Sequence, residues 1–127
     1  MPNIPERWAE QAEYDFDTAR AMLDGGRYLY VLFCCQQAVE KMLKGVIVKR
    51  TSEFPPRSHN LTRLVEVAGI ALDAPQADIL GELTGYYIHS RYPEELEDLA
   101  GRVTRLVASE TLRETAEALQ WLKSMIA

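Results

Sequence analysis

Four side chains able to hold a charged ligand lie close together in the run Phe33 to Lys44. Gln37, Glu40, Lys41 and Lys44 stand at i, i+3, i+4 and i+7, which stacks an amide, a carboxylate and two ammonium groups on one side of a helix. Such a strip can border a cleft that takes a phosphate-bearing or acidic partner. It can equally be a solvated face whose Glu40-Lys44 pair contributes a few tenths of a kcal/mol. A second cluster is Tyr86-Tyr-Ile-His-Ser-Arg-Tyr-Pro93. In helical geometry Tyr87 and Arg91 share one face, and Tyr86, His89 and Ser90 share another. Arg91 can be a fixed fork for phosphate or carboxylate, with Tyr92 beside it, or a cation on the last carbonyls of a helix. His59, after Pro55-Pro56, reads either as a loop histidine with a local partner or as a ligand-binding or acid-base group.

Other chemistries find no residues here. A metal site in a helical bundle needs carboxylates on facing helices, usually with Glu-x-x-His pairs, and neither His59 nor His89 has Glu three positions before it. No metal and no cofactor is expected. Phosphate loops, nucleophile elbows and Cys/His zinc spacings are missing. The adjacent Cys34 and Cys35 point about 100° apart on a helix, which suits two small core residues better than a disulfide.

These residues sit in a chain of 127 with 47 % hydrophobic and 26 % charged residues, the size and composition of a single globular domain over 1–127. The net charge of −5 argues against a general grip on DNA, and no apolar run reaches the roughly 20 residues of a membrane span. The N-terminus lacks a basic-then-apolar leader, so the cytoplasm is the expected compartment. Charge is unevenly spread. Lys41 to Arg63 holds six basic residues (Lys41, Lys44, Lys49, Arg50, Arg57, Arg63) against one acid, Glu53, whereas the chain up to Asp24 has six acids against two bases. One end of an acidic protein is therefore locally basic, consistent with a phosphate-bearing ligand or an acidic partner.

The elements that must position these groups are helices. Trp8, Ala12, Phe16, Ala19 and Leu23 give a first helix over Ile4 to Asp24, stopped by Gly25-Gly26. A second runs from about Arg27 to Arg50, antiparallel to the first, and its apolar first half marks it as central. Prolines at 55 and 56 end that region. Ser58 or Asn60 caps a short third helix ending near Gly69, and Asp73-Ala-Pro-Gln opens a fourth that closes near Arg91, before Pro93. Residues 94–108 read as irregular, and Ser109 caps a final helix. The fold class is all-α, a four- to five-helix up-and-down antiparallel bundle.

Three segments together resemble the HEPN family (higher eukaryotes and prokaryotes nucleotide-binding domain): Gln36-Gln-Ala-Val-Glu-Lys-Met-Leu-Lys44, Ser58-His-Asn-Leu61 and Ser90-Arg-Tyr-Pro93. Their order and spacing match from about Trp8 to Pro93. The resemblance implies a helical bundle, usually a homodimer, of the type encoded beside a minimal nucleotidyltransferase in two-component, toxin-antitoxin-like systems. Ribonuclease members carry an Arg followed four to six residues later by His. Here Arg57 precedes His59 by two, Arg50 precedes it by nine, and no histidine follows Arg91. The expectation is thus a nucleotide- or RNA-binding, non-catalytic partner of a nucleotidyltransferase, with Gln37, Glu40, Lys41, Lys44, His59, Arg91 and Tyr92 at the ligand. The alternatives are a metal-independent ribonuclease using His89 or His59 with Arg91, and a purely structural assembly module.

Overall fold

A computed structural model describes residues 4–127, all of whose regular structure is helical. The helices are α1 (Pro5–Asp24), α2 (Tyr28–Thr51), α3 (Leu61–Ala68), α4 (Ala74–His89), α5 (Pro93–Arg102) and α6 (Arg105–Lys123). They pack as a bundle around α2, which touches each of the other five.

α2 is central because nearly every turn of it is apolar: Val31, Leu32, Cys35, Ala38, Val39, Met42, Leu43, Val46 and Ile47 are buried on more than one side. α1 lays Ala9, Ala12, Phe16 and Ala19 against it, and the small alanines permit close approach of the two backbones. Gly25 caps α1 and Gly26 takes the left-handed conformation, φ 76°, that closes the hairpin. Gly45 marks the tightest place. A Cβ there would stand 3.0 Å from Ile126 Cδ1 and 3.1 Å from both Pro5 O and Trp8 Cβ.

Local capping chemistry sets the remaining boundaries. Asn60 Oδ1 accepts from the backbone N–H groups of Thr62 and Arg63, and Gly69 ends α3 at φ 69°. Asp73 and Gln76 form a reciprocal capping box with Pro75 in the first turn of α4. α4 stops at His89, two residues short of the Arg91 boundary expected from sequence. Tyr92 is extended (φ −120°, ψ 122°) because Pro93 follows it, so Ser90 to Tyr92 form the joint.

The segment read as irregular contains two helical pieces. Pro93 at the first position, with Glu94 and Glu95 in the first turn, starts α5. Thr104, not Ser109, caps α6 by accepting from Val107 N–H at 3.3 Å. Among the described residues six helices therefore stand where the sequence pattern counted four or five. Among the described residues no helix is long and apolar enough to cross a membrane.

Candidate functional site

The polar residues of α2 do not act as one strip. Gln37 is exposed, Lys41 faces α1, and Glu40 and Lys44 turn inward. Lys41 Nζ lies 2.8 Å from Asp15 Oδ2, a charge pair joining α2 to α1 whose angle falls outside hydrogen-bond geometry. Lys41 is thereby occupied inside the fold.

Glu40 is the hub of a buried network. Its side chain is 9 % exposed, and its two oxygens take three donors. Lys44 Nζ donates to Oε2 at 3.0 Å. Oε1 accepts from Gln36 Nε2 at 3.2 Å and sits 2.9 Å from His59 Nδ1. Gln36 gives its second N–H to the His59 carbonyl at 3.0 Å, so both the ring and the backbone of His59 are tied to α2. The Lys44 ammonium lies 6.0 Å from the centroid of the Trp8 ring, at the edge of cation-π range.

This wiring fixes the imidazole. A carboxylate offers only acceptors, so Nδ1 carries the proton and donates it to Glu40. In the neutral ring that leaves the lone pair on Nε2, which has no partner among the described residues. The His59 side chain is 56 % exposed, and its ring rests against Tyr87 with centroids 5.2 Å apart at 45°. Tyr87 sits in the last turn of α4, so this ring contact holds the end of that helix against the His59 loop. The result is an imidazole held at Nδ1 whose side chain is more than half exposed.

The second cluster is only partly assembled. Because α4 ends at His89, Arg91 lies beyond the helix and does not share a helical face with Tyr87. His89 Nδ1 lies 3.5 Å from Glu95 Oε2 with both side chains about half exposed, a pairing worth little. Ser90 Oγ donates to Tyr87 O at 2.6 Å. Arg91 and Tyr92 are exposed at the α4–α5 joint, and among the described residues no contact joins them to the Glu40 network. Tyr86 faces inward, and burial, with Glu82 nearby, pushes its phenol above the ordinary value.

Of the residues singled out from sequence, the structure unites Glu40, Lys44 and His59 and leaves Gln37, Lys41, His89, Arg91 and Tyr92 outside that network. It adds Gln36, Tyr87 and Trp8. Gln36 was legible, since 36, 40 and 44 repeat at four-residue steps, whereas no local pattern points from Tyr87 to His59. The cysteines are core residues: burial pushes the Cys35 thiol up to about 12 and raises that of Cys34. No group of three or more His, Cys, Asp or Glu side chains suited to a metal ion occurs among the described residues.

A family model described as the HEPN domain matches residues 5–125. The comparison with curated proteins gives no match. Among solved structures, the chain is similar to TT1696 from Thermus thermophilus, at a TM-score of 0.81 and 26 % identity over 97 % of this chain and 98 % of that one. It is also similar to ST0689, an archaeal HEPN homologue, at a TM-score of 0.78 and 28 % identity over 98 % of both chains.

Proposed function

The chain belongs to the HEPN domain family, and from that premise we propose that it binds a nucleotide-type ligand through His59 and Tyr87 as the non-catalytic partner of a minimal nucleotidyltransferase. The observation that supports binding is the clamped imidazole. Three internal bonds on Glu40 hold His59 in one direction, so little side-chain freedom is lost when a ligand arrives. Its neutral form offers Nε2 as an acceptor to a hydroxyl or amino group, and the Tyr87 ring alongside supplies a partner for a base. Arg57 and Arg63, exposed on either side of His59 in the chain, supply charge for phosphate. Arg91 and Tyr92 extend the surface from the end of α4. Lys44, whose ammonium is committed to Glu40, supports the site from beneath and does not meet the ligand. The partner role and a homodimeric state rest on the family resemblance.

Calorimetric titration with nucleoside mono- and triphosphates tests the binding. His59→Ala should lower affinity at least tenfold, while unchanged affinity would remove His59 from the site. Pull-down of the tagged protein from its native cells tests the partnership, through recovery of a small nucleotidyltransferase.

One observation favours a second reading. A histidine whose Nδ1–H is held by a buried carboxylate, with Nε2 open, is also how a general base is prepared. In a ribonuclease it would take the proton of a ribose hydroxyl, and Arg91 would stabilise the phosphorane charge. This geometry favours His59 over His89 for that role. RNA cleaved by the wild type and spared by His59→Ala would support the enzyme reading, and an inert wild type would end it.

A further inference from the structure

We infer that the furrow between α1 and α6 is a docking groove for a cationic amphipathic helix of a partner protein.

Both helices rest on α2 and leave two open cavities between them, of about 340 and 400 Å³. Ala9 and Ile126 line the first, and Phe16 and Leu119 the second, where Met42 of α2 forms part of the floor. Glu13 and Lys123 line both, and their ion pair crosses the furrow between the two. Positions rise along α1 as they fall along α6, so the helices run antiparallel and the cavities are successive stretches of one channel. From Glu6 to Arg20 that channel follows α1 for about 21 Å, or about four helical turns.

The α1 wall carries one sign of charge. Glu6, Glu10, Glu13 and Asp17 stand at i, i+4, i+7 and i+11, an exposed stripe whose members all line the furrow. The two cations that line it are already engaged. Lys123 is paired with Glu13, and Arg20 lies 3.5 Å from Asp17 with its guanidinium 4.7 Å from the centroid of the Phe16 ring. Glu6 and Glu10 form no ion pair among the described residues. Uncompensated carboxylates therefore flank an apolar floor, which selects a basic partner and repels nucleic acid or an anionic membrane.

The spacing of the cavities defines that partner further. Ala9 and Phe16 are seven residues apart on α1, about 10 Å, which is the separation of apolar anchors at i and i+7 on a helix laid along the furrow. A lysine or arginine at i+3 or i+4 then falls opposite Glu13. Both members of the Glu13–Lys123 pair are about half exposed, so the pair contributes little and the incoming cation can replace Lys123.

The test is fluorescence anisotropy with three labelled helical peptides: leucine anchors seven apart with lysines around them, the same composition with anchors five apart, and the first pattern with glutamates for lysines. The wild type should bind the first peptide most tightly. Glu6→Gln with Glu10→Gln should weaken it about 2- to 30-fold and flatten its salt dependence. Glu94→Gln with Glu95→Gln, the same charge change on α5, should leave it unaltered. Lys123→Met should strengthen it about 1.5- to 5-fold by freeing Glu13. Equal losses from the α1 and α5 pairs, or equal affinity for both anchor spacings, would overturn the groove in favour of diffuse attraction to an acidic protein. Absence of binding to the first peptide would overturn it outright. Light scattering of the unliganded protein covers the remaining occupant: an oligomer lost in the α1 variant but kept in the α5 variant, without peptide binding, would assign the furrow to a second copy of the chain and overturn the helix.

Discussion

Replacing Glu40 by Gln isolates the charge at the centre of the site. The amide keeps the size of the carboxylate and one acceptor oxygen, so Gln36 and His59 can retain bonds, but Lys44 loses its only ion-pair partner among the described residues. The Lys44 side chain is 11 % exposed. Breaking a buried pair from one side costs about 3–5 kcal/mol, because an uncompensated charge remains. The thin exposed edge of Lys44 and the Trp8 ring relieve part of this, giving about 2–4 kcal/mol. Against a total stability of about 5–15 kcal/mol, the loss is large, equivalent to roughly 10 °C in Tm. Urea denaturation should show a lower midpoint with an unchanged slope. The double variant Glu40→Leu, Lys44→Met should recover much of the loss, since a well-packed apolar pair of similar volume replaces a buried ion pair at little net cost. Recovery should stay incomplete, because Gln36 and the His59 Nδ1–H lose an acceptor. A Glu40→Gln cost below about 1 kcal/mol, or a double variant less stable than Glu40→Gln, would refute charge compensation as the basis of the network.

Gly45→Ala should destabilise the protein by about 1–2 kcal/mol despite a helix-propensity gain of about 1 kcal/mol, because the new methyl presses on Pro5 O, Trp8 Cβ and Ile126. Gly81→Ala, with nothing within 4 Å of its Cβ, should stabilise by about 0.5–1 kcal/mol, and the opposite signs are readable by thermal melting. Glu82 has its carboxyl raised above 4.5, first by burial and then by the charges of Glu114 and Asp78. The folded state thus binds the proton more tightly than the unfolded one. Its destabilising contribution is absent below about 4.5, grows as pH rises through the window just above, and is fully present at neutrality. Glu82→Gln should therefore raise the urea midpoint at pH 7 and leave it nearly unchanged at pH 4.

Most of the fold was legible because its determinants are local. The three/four spacing of Ala12, Phe16 and Ala19, the Gly25-Gly26 stop and the Asp73 to Gln76 box each act within a turn or two of chain. Residues 94–108 escaped for an equally local reason. Pro93 bounds α4 in the sequence pattern, yet with Glu94 and Glu95 it also begins α5, and Thr104 competes with Ser109 as a cap and wins. The resemblance carried by Gln36 to Lys44, Ser58 to Leu61 and Ser90 to Pro93 identified the family without any coordinates.

The sequence by itself determined which residues carry charge and where most helices begin and end, since hydrogen bonding along a helix joins residues four apart. Only the tertiary structure decided which polar groups meet. Glu40 reaches His59 across 19 positions and His59 meets Tyr87 on another helix, while Lys41, one residue from Glu40, turns about 100° away to Asp15. Burial then settles their roles: a charge removed from water must find its partner inside the protein, as Glu40 does in Lys44 and His59, whereas the groups left at the surface remain with water.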